Sequence, residues 1–161
     1  MKKALVFILL IISSFAYSQY QVGFGFYLNT ISPLRAGEFT SPGTNSFELS
    51  IKAVLPDYQC WDFMGGWSKN DFRFTIMKEV HRQLFYPVDL YLGLGFHIGV
   101  WNKNYMTTYS GSKFYGGLDG DFGLQFTFLP ISFSVGMRPV WNFLGTDNFV
   151  WIKQVGIRFC Y

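Results

Sequence analysis

The sequence predicts an all-β fold, specifically an eight-stranded antiparallel up-and-down transmembrane β-barrel, and three observations carry the prediction. Eight stretches alternate large apolar residues with small or polar ones, the period of an extended strand with two unlike faces. The connections between them alternate as well, short at one end and longer at the other. Half of the residues are hydrophobic and 21% aromatic, yet the mean hydropathy is only +0.18. Apolar character is therefore spread by alternation, with no long run that could form a membrane helix in the predicted barrel.

The stretches cover about residues 20–28, 46–55, 59–67, 72–80, 88–101, 114–128, 131–143 and 149–161. In the first, Val22, Phe24 and Phe26 share one face, with Gln21, Gly23 and Gly25 on the other. The second sets Phe47, Leu49 and Ile51 against Glu48, Ser50 and Lys52, and the third sets Trp61 and Phe63 against Asp62 and Met64. In the fourth, Phe72, Phe74 and Ile76 oppose Arg73, Thr75 and Glu79. The fifth carries Leu92, Leu94, Phe96 and Ile98 against Tyr91 and His97, and the sixth Phe122, Leu124 and Phe126 against Asp119, Asp121 and Gln125. Ile131, Phe133 and Val135 face away from Ser132, Ser134 and Arg138 in the seventh. The eighth ends the chain with Val155, Ile157, Phe159 and Tyr161 on one side and Gln154 and Arg158 on the other.

One face is almost wholly apolar and the other carries nearly all the charge. Hydrocarbon cannot satisfy polar groups, so in a membrane barrel the apolar set faces out and the polar set fills the lumen. Lys78 and Lys153 break the rule by falling on the outer face. A lysine held there at the bilayer midplane costs about 2–4 kcal/mol, so these two either snorkel to an interface or mark a β-bulge. A soluble exported barrel, the rival fold, would turn both faces round.

Connections at one end are the tight Pro56-Asp57-Tyr58 and Leu129-Pro130 and a moderate turn from His81 to Pro87. At the other end run Asn29–Asn45, Asn102–Lys113 and Leu144–Asn148, with a tight Ser68–Asp71 turn. With an even strand count and both termini periplasmic, the longer loops are expected outside the cell. Trp61, Trp67, Trp101, Trp141 and Trp151 lie mostly near strand ends, where interface anchoring explains them. Tyr105, Met106 and Tyr109 sit in a long loop and offer a contact surface for an extracellular ligand.

An eight-stranded barrel has an interior just wide enough for side chains. The inward charges nearly balance, Glu48, Asp62, Glu79, Asp119 and Asp121 against Lys52, Arg73, Arg138 and Arg158, with His97 among them. They are expected to pair as a plug: Glu79 and Lys52 near the terminal end with Arg158, and Arg138 at mid-height with Asp121 or Glu48. The same residues could instead line a narrow polar pathway. His97 beside Asp119 or Asp121 could serve acid–base chemistry, but no nucleophile is identifiable near it. The glycine-rich Gly93–Gly99 segment lies inside a strand with no helix after it and so fails the context of a dinucleotide loop. No cofactor or metal is expected, since two histidines without nearby cysteines make a weak ligand set. Cys60 and Cys160, both predicted near the terminal rim on non-adjacent strands, are expected to stay unpaired.

The amino terminus has the form of an export signal over residues 1–18: Lys2 and Lys3, an apolar stretch from Ala4 to Ile12, and Ala16-Tyr17-Ser18 as the cleavage site. Residues 19–161 then form one barrel domain. Without Lys2 and Lys3, eleven Lys and Arg remain against ten Asp and Glu. That balance gives no basis for nucleic-acid binding.

The alternating Val155, Ile157, Phe159 and terminal Tyr161 resemble the C-terminal insertion signal of bacterial outer-membrane barrels. The segments Glu79-Val80-His81, Tyr91–Gly99, Gly117–Gly120, Pro130–Ser134, Arg138-Pro139 and Gly156–Phe159 together resemble a family of small eight-stranded outer-membrane β-barrels of Gram-negative bacteria. The likeness covers the second half of the chain well and the first half as a strand pattern. It implies residence in the outer membrane, folding by the barrel-assembly machinery, and contact with outer-membrane lipid and lipopolysaccharide. The expected role is structural or interactive and non-enzymatic, with loops displayed outside. The alternatives are a narrow channel or carrier for small solutes and a lipid-modifying enzyme using His97.

Overall fold

A computed structural model describes residues 21–32, 45–55, 58–68, 71–101, 113–145 and 148–160. Eight strands follow in order: β1 (Gln21–Ser32), β2 (Asn45–Val54), β3 (Gln59–Trp67), β4 (Asp71–Phe85), β5 (Val88–Trp101), β6 (Phe114–Phe128), β7 (Ile131–Leu144) and β8 (Asn148–Cys160). Each pairs antiparallel with its chain neighbours, and β8 closes on β1. Closure leaves no edge strand, so every strand has a neighbour on both sides for its backbone groups, as a hydrocarbon surround demands.

Pairing fixes the barrel's dimensions. Gly23 leads through Lys52, Asp62, Met77, Gly95, Asp119 and Val140 to Val150, whereas across the closing seam Gly23 pairs with Cys160. The register thus shears by ten residues in one circuit, from 150 to 160. Eight strands with that shear tilt by about 40° and enclose a backbone cylinder of about 8 Å radius. Such a cylinder has room for inward side chains and little else.

The faces separate as the alternation requires. Leu92, Leu94, Phe96 and Ile98 on β5 are 52–68% exposed, while His97 and Tyr91 between them are buried. Glu48, Lys52, Asp62, Glu79, Asp119, Asp121, Arg138 and Arg158 are all buried. Apolar outside and charged inside is the arrangement for lipid, and it excludes the inverted soluble barrel.

Two strands run further than their sequence suggests. β4 continues through His81–Phe85, where a moderate turn is expected, and the chain reverses at Tyr86-Pro87. The polar His81, Arg82 and Gln83 pair with Tyr91, Leu90 and Asp89, and the His81 N–H donates to the Tyr58 carbonyl at 2.8 Å. These residues read as a turn because they are polar, but a strand overhanging the apolar band has water on its outer side. β1 likewise extends to Ser32, so Asn29–Ser32 belong to the wall. At the opposite end Gly145 closes the β7–β8 turn with φ of +78°, where a Cβ would stand 2.1 Å from the Phe114 carbonyl oxygen. Only glycine fits that turn.

Candidate functional site

Among the described residues the lumen gathers the chemically active side chains, and it is organised in tiers. In the tier nearest the terminal end, the Lys52 ammonium on β2 donates to Glu79 on β4 and lies 3.7 Å from Asp62 on β3. His81 stands 2.9 Å from the same Glu79 oxygen and stacks on Tyr91. Arg158 on β8 sends one nitrogen to Asp62 at 2.9 Å, to Ser50 at 3.1 Å and to the Tyr27 hydroxyl. Ser50 donates to the other Asp62 oxygen at 2.6 Å. Asp62 is thereby enclosed by two cations and two hydroxyls.

The middle tier crosses the barrel. Arg138 rises from β7 and reaches β2, where one nitrogen donates to Glu48 at 2.8 Å. Its other terminal nitrogen lies 3.6 Å from Asp121 and 2.9 Å from the Met64 sulfur. Glu48 holds a second cation, Arg73 on β4. Gln154 on β8 donates to both Asp121 oxygens, at 2.7 and 2.8 Å. Arg138 and Asp62 are wholly shielded from solvent. A buried ion pair contributes little net stability, but removing one partner leaves an uncompensated charge and costs about 3–5 kcal/mol.

Towards the loop end, His97 on β5 is held by Asp119 at 2.5 Å through Nδ1 and faces the Asn142 Oδ1 at 2.6 Å through Nε2. Both ring nitrogens are thus occupied. Among the described residues no hydroxyl or thiol is hydrogen-bonded to His97, and Ser132 and Ser134 pair with Arg158 and Gly156 near the other end. Above it the Tyr115 hydroxyl donates to Asp71 and its ring stacks on Trp101.

A vestibule of about 460 Å³ opens at the terminal end, bounded below the rim by Lys52 and Arg158. Cys60 and Cys160 both line it as free thiols. Cys160 is 3.7 Å from the Ser132 hydroxyl. The vestibule ends on the lowest tier of the ion network.

Comparison with solved structures gives the architecture its relatives. Neisserial surface protein A superposes with a TM-score of 0.61 at 16% identity, over 89% of this chain and 98% of that one. The outer-membrane protein OprG from Pseudomonas aeruginosa superposes with a TM-score of 0.58 at 10% identity, over 88% and 95%. The fold is that of a small outer-membrane barrel. No protein-family model matches the chain, and comparison with curated protein sequences gives no match. With identities this low the shared property is the barrel itself.

All ten charged or imidazole residues singled out by parity, Glu48, Lys52, Asp62, Arg73, Glu79, His97, Asp119, Asp121, Arg138 and Arg158, point into this lumen and join through two tiers and the His97 cluster. One pairing differs from expectation. Lys52 meets Glu79 and Arg138 meets Glu48 and Asp121 as expected, but Arg158 goes to Asp62 and not to Glu79, whose second neighbour is His81. Depth in the barrel depends on the shear, and ten residues of shear set Arg158 over Tyr27 and Asp62. Tyr27, Tyr115 and Asn142 complete the network and were not in the predicted set; their inward parity was the available signal. Ile157 and Phe159 face lipid on β8, while Tyr161, residues 1–18 and the loop positions Tyr105, Met106 and Tyr109 lie outside the described residues.

Proposed function

We propose that this protein is a closed, rigid outer-membrane barrel with a structural or interactive role, its lumen plugged by side chains and its loop end presented to the exterior. The observation that carries the reading is Arg138: a guanidinium wholly withdrawn from solvent that ties β7 to Glu48 on β2 across the lumen. A conducting path would have to displace this group from two carboxylates and a thioether. Contact with outer-membrane lipid, with lipopolysaccharide and, during assembly, with the barrel-assembly machinery follows from this residence. The loops around residues 33–44 and 102–112 are the working surface for an extracellular ligand, and the reading is non-enzymatic. A second reading, a narrow channel or carrier for small solutes, draws on the vestibule that opens at the terminal end.

Recording purified protein in planar bilayers separates the two. The closed barrel gives an unbroken baseline at low voltage after verified insertion. Steady, reproducible conductance steps in most insertions overturn it in favour of the channel.

A further inference from the structure

The exterior carries a charge imbalance that the barrel itself does not resolve. Every described carboxylate, Glu48, Asp62, Asp71, Glu79, Asp89, Asp119 and Asp121, lies at an inward register position. The outer wall keeps the cations Lys78, Arg82 and Lys153, all exposed. A second copy of this wall therefore offers them no described carboxylate.

Lys78 and Lys153 differ in what they touch. Lys78 pairs with Trp61 across the β3–β4 ladder, and its ammonium lies 5.9 Å from the centre of the Trp61 ring. Lys153 has no hydrogen-bond, ion-pair or ring partner among the described residues. It sits on the outer face of β8 opposite Thr30 on β1 and Met137 on β7.

Its depth points to an occupant. At a tilt near 40° each residue rises about 2.5 Å along the axis, so Lys153 lies about 12 Å from the loop-end start of β8 and about 17 Å from its other end. Trp151, two residues nearer the loop end, belongs with Trp67 and Trp141 to the aromatic belt of that side, where headgroups begin. The four-carbon stem of Lys153 spans the remaining step, while the terminal-side interface is out of reach. The ammonium thus reaches the headgroup layer of the loop-side leaflet, where lipid anions are the counter-charges available to it.

We propose that Lys153, on the β1–β8–β7 face, is a binding site for a phosphate of the outer leaflet's phosphorylated glycolipid, lipopolysaccharide. This rests on the orientation adopted above, with the loop end outside. The ammonium descends from headgroup level alongside the acyl chains packed on Trp151, Val155 and Met137, so the site takes a phosphate set close to its own chains. Lys78, stacked on Trp61 and nearer the terminal end, is the internal control.

The test is native mass spectrometry of the folded protein in maltoside micelles, which hold no phosphate, titrated with lipid A and separately with phosphatidylglycerol. Folding of each variant is checked by the shift in gel mobility on boiling. Lipid A is expected to bind wild type about fivefold more tightly than K153M or K153Q, the ratio one lysine supplies near an anionic headgroup layer, with K78M unchanged and phosphatidylglycerol weaker. Equal binding by K153M and wild type overturns the site. Phosphatidylglycerol binding through Lys153 as tightly as lipid A overturns the assignment to the glycolipid. Failure of the closed-barrel reading would appear as conductance in bilayers, which this titration does not register, and a reversed orientation would appear as protease protection of the loops on intact cells.

Discussion

The wall of this barrel and its lumen are built from the same eight strands, one residue out of phase, yet they obey opposite rules. On the wall, Leu92, Leu94, Phe96 and Ile98 gain nothing from one another's shape and need only be apolar, because lipid chains adapt to whatever surface they meet. In the lumen the buried ionisable groups meet particular partners at particular heights: Asp62 two cations and two hydroxyls, Glu48 two guanidiniums, His97 a carboxylate and an amide. The wall is specified by composition and the lumen by pairing. Substitutions should separate the two regions accordingly, with stability read from urea unfolding in phospholipid vesicles.

Arg138→Met should have the largest effect, a loss of about 3–5 kcal/mol, because it strands Asp121 and half of Glu48 in a dry interior. On the wall, Leu94→Lys, in the middle of β5, should cost about 2–4 kcal/mol, whereas Leu94→Ile should change almost nothing. The contrast between a wall indifferent to shape and a lumen that is not can be sharpened at Gly136. A Cβ there would fall 2.1 Å from the Tyr91 hydroxyl, so Gly136→Val should destabilise by about 1–3 kcal/mol through overpacking, with no charge involved. The smallest effect is expected at the cation–ring contact of the wall, where Trp61→Leu should cost about 0.5–1 kcal/mol in a Lys78 background and less in a K78M background. Equal losses in both backgrounds would show that Trp61 acts through lipid alone.

The same division explains how much of the molecule was legible beforehand. Alternation sorts residues onto faces whatever their partners, so the strand count, the apolar exterior and the inward set can be read from residues such as Phe24-Gly25-Phe26 or Phe47-Glu48-Leu49. The ends of β1 and β4 were less legible, since Asn29, Thr30 and Ser32, like His81–Gln83, are polar and look like loops, although Asn29 points into the lumen and Arg82 and Gln83 are exposed beyond the apolar band. The pairings were least legible. Which cation meets which carboxylate depends on tilt, and tilt depends on a shear of ten residues that no local pattern displays. Lys52 with Glu79 follows from their shared end of the barrel, but Arg158 lands on Asp62, a pairing that parity alone did not single out. Tyr27 and Tyr115 carry no formal charge, so a search for balancing charges passes over them, and only parity marks them as inward.

The central claim is that lumen charges hold one another across the barrel and so close it. A double-mutant cycle on Arg138 and Glu48, using Arg138→Met, Glu48→Gln and the pair, tests this directly, because the two residues come from β7 and β2 and meet only across the lumen. Contact through a dry plug predicts a coupling energy within the range of about 0.5–3 kcal/mol for directly touching groups, towards its upper end. Additivity within about 0.3–0.5 kcal/mol would mean that water separates and screens the two charges, and the lumen would then be an open, hydrated path.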